Sequence, residues 1–291
     1  MALSRPLRRA RPYVSTVHPV DITLPAPKQP APKPPMARLN RFVVAGEVHH
    51  LVHRTVAGTD AFPGPTDLPL FIDALRRSSR EHGVLIHAYV LLPHEIQLLA
   101  TPPTDDSLSR MMQALARFYV PSYNRRHGRA GALWQGRFRA APVGGAQALL
   151  TCMRYIEQAP QRAGWLGQVA EFGNSSAPHH VGNGADPTVA PAPNASGYWK
   201  LGNTPFEREA AYRILLDHPL AAAQLQAVES STLKGWAMGS GEFLASLAAS
   251  ALAGARRPAT KARGRPRKVA TSEEPENRSV PNLSRHDLQR R

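Results

Sequence analysis

The chain has 291 residues, 42% of them hydrophobic, enough to bury a core in one large or two modest domains. Thirty-six Lys and Arg against 21 Asp and Glu give a formal charge of +15, which favours a polyanionic partner, either nucleic acid or an acidic membrane surface. The sequence lacks both an apolar run of about 18 residues and a basic amphipathic helix with bulky apolar residues, which removes the membrane, and the single Cys152 excludes an internal disulfide or a Cys-cluster zinc site.

The N-terminal MALSRPLRRARPYV has no apolar segment of a secretion signal, so a soluble protein of the cytoplasm, associated with the nucleoid, is expected. Residues 1–35 end in PAPKQPAPKPP and read as a basic, disordered, Pro-rich segment, with Met36 as an alternative start. From Phe42 to Arg54 the spacing predicts a strand, and from Leu68 to His82 a helix carrying Leu70, Phe71, Ala74 and Leu75. VLIHAYVLL (84–92) reads as a buried strand broken at Pro93, and Ile96 to Ala100 as its hairpin partner. Ser107 to His127 places Leu108, Met111, Met112, Leu115, Phe118 and Tyr119 on one helical stripe, with a kink expected at Pro121. A strand over 133–143 and a helix over 146–158 ended by Pro160 follow. The order strand, helix, hairpin, helix, strand, helix describes an α+β domain over 36–182, with helices on a central, largely antiparallel sheet. Residues 183–197 read as a linker. Thr204-Pro-Phe-Glu207 predicts a capping box opening a helical C-terminal extension over 198–255. Residues 256–291 read as a disordered basic tail.

Charge is concentrated in one stretch. Between Ser107 and Ile156 lie eight arginines (Arg110, Arg117, Arg125, Arg126, Arg129, Arg137, Arg139, Arg154) and no Asp, Glu or Lys. Guanidinium groups present a planar fork to phosphate, and Phe118, Tyr119, Tyr123, Trp134 and Phe138 alternate with them. Most of these aromatics are expected in the core, with one or two left to stack on a nucleotide. Five phosphate contacts among the eight arginines would give a log–log salt slope of roughly −3.5 for single-stranded DNA. Arg263, Arg265 and Arg267, in KARGRPRK, resemble an AT-hook of the minor groove, the alternative being a solvated basic tail.

The order of motifs HAYVLLPHEIQLLA (87–100), YNRRHGRAGALWQGRFRA (123–140) and RYIEQAPQRAGW (154–165) resembles the REP-associated tyrosine transposases, a branch of the HUH single-tyrosine transposases. WKLGNTPFEREAAYR and GWAMGSGEF resemble that family's C-terminal extension. The resemblance implies a central antiparallel sheet. Its chemistry is metal-assisted cleavage and joining of single-stranded DNA through a 5′-phosphotyrosine, as in DNA transposition, with Tyr155 as the matching nucleophile. A phenol of pKa near 10 needs a cation to offset the phosphate charge. The family's His-x-His pair is here Glu95-Ile96-Gln97, however, and the position four after Tyr155 is Ala159, which has no ligand atom. Glu95 and Gln97 are thus the remaining ligands of a degraded site, holding Mg2+ or Mn2+ if the chain is active, with no cofactor if it is not. His94 is out of phase and expected on the opposite face. His49, His50, His53, His179 and His180 read as sheet, loop or surface residues. Two readings follow: an enzyme cutting a structured single-stranded end, or a catalytically inactive protein binding DNA or RNA hairpins on the same scaffold.

Overall fold

A computed structural model of the chain describes residues 42–165 and 167–250. The chain divides into two units, 1–40 and 41–291, and every described residue belongs to the second. The segments 1–35 and 256–291, with the RGRP arginines Arg263, Arg265 and Arg267, lie outside the described residues.

The first six elements alternate as β1 (His49–Arg54), α1 (Asp67–Glu81), β2 (Leu85–Leu92), β3 (Glu95–Thr101), α2 (Ser107–Arg126) and β4 (Arg139–Gly144). β2 and β3 form a tight hairpin through Pro93 and His94. β3 pairs antiparallel with β1, and β1 antiparallel with β4. A two-residue strand, β5 (Met238–Gly239), adds parallel to β4, giving the order β2-β3-β1-β4-β5. The split β-α-β arrangement, in which β3 separates β1 from β2, is the ferredoxin-like order. The α+β class expected from the sequence is therefore present.

Period-2 alternation divides the sheet into two faces. Leu51, Ile96, Leu98 and Ala140 point to one, where Phe71 and Leu75 of α1 and Leu108, Met111, Leu115 and Tyr119 of α2 cover them. The other carries Ala88, Val90, Leu99 and Val143 against Leu149, Met153 and Ile156 of α3 (Ala146–Glu157). The helix α2 runs unbroken through Pro121, so the kink expected there does not end it. The strand expected over 42–54 begins only at His49, after a turn whose Gly46 donates its backbone N–H to the Pro102 carbonyl. Residues 133–138 are irregular. They make only a bridge, Thr55 to Trp134, before β4 begins, because Gly136 takes a left-handed φ of 66° that interrupts pleating. Pro160 does not simply stop α3: it opens the separate turn α4 (Ala159–Arg162), where a proline costs no hydrogen bond.

The stretch expected to be a linker is fastened along the sheet edge. Ala190 donates to the Ile86 carbonyl, the Tyr89 hydroxyl to Asp186 at 2.6 Å, and His87 Nδ1 to the Pro191 carbonyl. The Ala190 bond, with the Leu91 N–H on the Asn174 carbonyl and the Tyr89 N–H on Ser176 Oγ, covers the edge of β2, which would otherwise invite pairing with another chain. Beyond α5 (Ala177–His180), α6 (Pro205–Asp217) begins at the predicted capping box, with Thr204 and Glu207 exchanging side-chain and backbone bonds. The helices α7 (Ala222–Lys234) and α8 (Gly241–Ser250) complete the described chain. α6 packs its Tyr212 and Leu216 into the same core as α3, and α7 lies against β4 and β1.

Candidate functional site

The register of β1 on β3 sets Arg54 opposite Glu95, Val52 opposite Gln97 and His50 opposite Leu99. Directly paired residues share a face, so Arg54, Glu95, Gln97 and His50 all project toward α3 and α7. Tyr155 descends on them from α3, its ring 5.6 Å from the His50 ring in an edge-on contact. Glu95, Gln97 and Tyr155 do therefore converge, and they do so within a polar chain. His50 Nε2 donates to Gln97 Oε1 at 3.1 Å, and its Nδ1 is hydrogen-bonded to the Thr232 hydroxyl of α7 at 2.6 Å. Gln97 Nε2 donates to Glu95 Oε1 at 2.6 Å, and Arg54 Nε donates to Glu95 Oε2 at 2.5 Å.

Burial pushes the His50 imidazole down to about 4, against a smaller raising effect of the Gln97 bond and with Arg162 adding to the fall, so it is the neutral form that joins the chain. The Tyr155 phenol is raised above its ordinary value by burial, an effect Arg162 opposes and the Glu229 and Glu95 carboxylates reinforce. The Arg162 guanidinium lies over the Tyr155 ring, 4.1 Å from its centroid, and donates to the Tyr155 carbonyl. The cavity bounded by His50, Arg54, Glu95, Tyr155, Glu229 and Thr232 has a volume of about 10 Å³. That is room for one water molecule and not for a phosphodiester.

These residues do not suit the divalent cation that the sequence resemblance implies. Both Glu95 oxygens are engaged, one by a guanidinium. The Gln97 amide turns its oxygen to His50, and Ala159 is a buried methyl. Among the described residues no three His, Cys, Asp or Glu side chains are grouped to hold a metal ion. A hard cation requires several convergent oxygen donors. Here the donors are already satisfied by one another.

The eight arginines fall into two sets. Arg126 is held internally by the fully buried Asp67 at 2.5 Å, Arg154 donates to the His218 carbonyl, Arg110 pairs with Asp106, and Arg129 bonds Thr59 and lies over Tyr123. Arg117, Arg125, Arg137 and Arg139 are exposed and make no hydrogen bond or ion pair with a described residue. Arg117 and Arg125 stand on α2 and Arg137 on the loop after Trp134. Arg139 opens β4 opposite Val52, on the Tyr155 side of the sheet. Tyr119 and Tyr123 are core residues, their hydroxyls bonded to the Ala61 and Asp60 carbonyls. Trp134 stacks on His53 at 4.7 Å, and Phe118 is covered by Arg77.

His94 sits exposed in the β2–β3 turn, away from the Tyr155 face, bonded to the Thr59 carbonyl. His49, His50 and His53 lie in β1, the sheet half of the expectation, and all three are buried, with His50 in the site. His180 is not a loop surface residue: it is buried in α5 and hydrogen-bonded through Nδ1 to Glu157, which also accepts from Ser176 and from Tyr212 at 2.7 Å. Arg54, Arg162, Glu229 and Thr232 were not singled out in the sequence. Alternation along β1 carries a signal for Arg54, whereas nothing local marks Thr232, which lies 182 residues from its partner His50.

No family model matches this sequence, and no curated protein does. Two of the solved structures similar to it are as follows. One is a REP-associated tyrosine transposase bound to a REP hairpin, 21% identical, with a TM-score of 0.44 over 53% of this chain and 91% of that one. The other is a candidate transposase from Deinococcus radiodurans R1, also 21% identical, with a TM-score of 0.28 over 35% of this chain and 83% of that one.

Proposed function

We propose that this protein binds DNA, as a hairpin or a structured single-stranded end, on a transposase-like scaffold, and that it does not cut the strand through Tyr155. The observation that carries the reading is the closure of the Tyr155 face. Both Glu95 oxygens and the Gln97 amide oxygen are engaged by Arg54, Gln97 and His50, and α7 covers what remains. A phenol raised by burial, without a cation to polarise a phosphate, is a weak nucleophile. Binding itself is supported by the net charge of +15 and by the exposed arginines that no described carboxylate neutralises. Among the described residues no helix is long and apolar enough to cross a membrane.

The test incubates the full chain with a labelled hairpin oligonucleotide carrying single-stranded flanks, in Mg2+ or Mn2+, and resolves the products on a denaturing gel. A retarded complex on a native gel with no covalent adduct on the denaturing gel is expected. An adduct abolished by Tyr155→Phe would overturn the non-cleaving half of the proposal. A parallel RNA hairpin of the same sequence that binds more tightly than the DNA would replace DNA as the partner.

A further inference from the structure

On the sheet face opposite Tyr155 lies a cavity of about 520 Å³ between α2 and the loop that precedes β4. His53, which points to that face beside Ile96, forms part of its floor and bonds the Gly136 carbonyl, tying the loop down. Met112 and Val120 of α2 and Leu133 and Phe138 of the loop line it, together with Arg117 and Arg137. Among the described residues no acidic side chain lines it. The volume falls in the roughly 300–1,000 Å³ range of small-molecule sites.

We propose that this cavity receives one unpaired nucleobase, extruded from the bound strand, while Arg117 and Arg137 hold the phosphates on either side of it. The inference rests on the nucleic-acid reading above and goes beyond it, since it places base recognition on the face away from the tyrosine. The chemistry of the cavity selects the occupant. A base is a flat, weakly hydrated ring that gains from leaving water for an aromatic and thioether lining, and its two phosphates need cations spaced across the opening. An apolar pocket for an aliphatic or peptide ligand has no use for two guanidinium groups without a carboxylate between them. The arginine fork matches a phosphate, and neither Arg117 nor Arg137 is engaged by a described residue. Gln113, exposed on the same wall, supplies an amide able to read the base edge.

The experiment measures affinity of the full chain for a hairpin DNA whose flanking nucleotides are replaced one at a time by an abasic residue. One position is expected to weaken binding about tenfold, the loss of a single stacked base, with its neighbours near unity. Ala132→Trp, an exposed rim substitution that fills the cavity without touching the core, removes that positional sensitivity while thermal stability stays at the wild-type value. The [13C]methyl resonance of Met112, assigned through Met112→Leu, shifts upfield with the intact oligonucleotide and stays in place with the critical abasic one. Uniform small effects across every abasic position, with Ala132→Trp binding like the wild type, would overturn the base pocket while leaving DNA binding intact, and would point to a peptide instead. Failure of every oligonucleotide to bind would overturn the nucleic-acid reading as well, so the two failures are distinguishable.

Discussion

Replacing Arg117, Arg125, Arg137 and Arg139 together by alanine tests which guanidinium groups meet phosphate. Each phosphate contact on a single strand contributes about −0.7 to the slope of log affinity against log salt, so four contacts contribute roughly −2.8. A fourfold rise in salt, from about 50 to 200 mM, then weakens the wild type about 50-fold more than the quadruple variant. If all eight arginines of 107–156 touched the backbone, the same comparison against an eightfold variant would approach about 2,000-fold. Partners within the fold remove Arg126, Arg154 and Arg129 from the count, and Arg110 pairs at the surface with Asp106. Arg126→Ala is accordingly expected to leave the slope unchanged. It destabilises the fold on the order of 3 kcal/mol instead, since Asp67 would remain buried with only His127 and the Gly64 backbone as partners. The assay is fluorescence anisotropy of a labelled hairpin titrated at several KCl concentrations, with chemical melts run on the same samples. Equal flattening by Arg126→Ala and Arg117→Ala, or an unchanged slope in the quadruple variant, would refute the assignment.

Three further outcomes follow from buried groups. Tyr212→Phe removes one bond to Glu157 and should cost about 1 to 2 kcal/mol, while Glu157→Ala strands His180 and the Tyr212 hydroxyl and should cost about 3 to 5 kcal/mol, both read from urea melts. His50, held at about 4 in the fold against 6.5 in the open chain, takes up its proton more readily when unfolded, so its share of stability is complete above pH 6.5 and is lost as pH falls toward 4. His50→Gln should therefore reduce the pH dependence of stability near pH 5.5 by up to one proton, about 1.4 kcal/mol per pH unit, and an unaltered slope would contradict its burial as a neutral ring. Gly239→Ala would set a methyl group 2.2 Å from the Gly144 carbonyl oxygen, so limited proteolysis should cut near β5 and α8 in the variant well before the wild type.

Elements whose own residues carry the pattern were legible in the sequence. The α2 stripe, the β2–β3 hairpin at Pro93 and the Thr204 capping box all depend on neighbours within a few positions, and each is in place within a residue or two. The strand expected at 42–48 failed because apolar residues there pack without pairing: Phe42 joins a small cluster with Ala237 and Leu247. α2 continues through Pro121, with the buried Tyr119 and Tyr123 on the turns before and after it. The C-terminal helices were legible as helices, but not as part of the core. Their docking depends on Tyr212 reaching Glu157 and Thr232 reaching His50, contacts that span 55 and 182 residues.

The same distance explains why the candidate site reads differently in one dimension and in three. From the sequence, Glu95 and Gln97 are two weakened ligands awaiting a cation, and His50 is a strand residue without a partner. In the fold, the β1–β3 register brings Arg54 to Glu95 and His50 to Gln97, so the carboxylate and the amide enter a hydrogen-bonded chain that needs no metal to be satisfied. A carboxylate at that place without Arg54 would be a partly buried anion, and burying an unpaired charge costs several kcal/mol. The guanidinium thus supplies the positive charge that a cation would otherwise bring, but on a side chain fixed to the strand and facing the carboxylate. Thr232 closes the other end of the chain from α7, so the closure of the face and the docking of the C-terminal extension are one structural event. Opening the Tyr155 face to a phosphodiester would require α7 to leave, exposing His50 and Val228 to water, so the docking of α7 and the closure of the tyrosine face are energetically coupled.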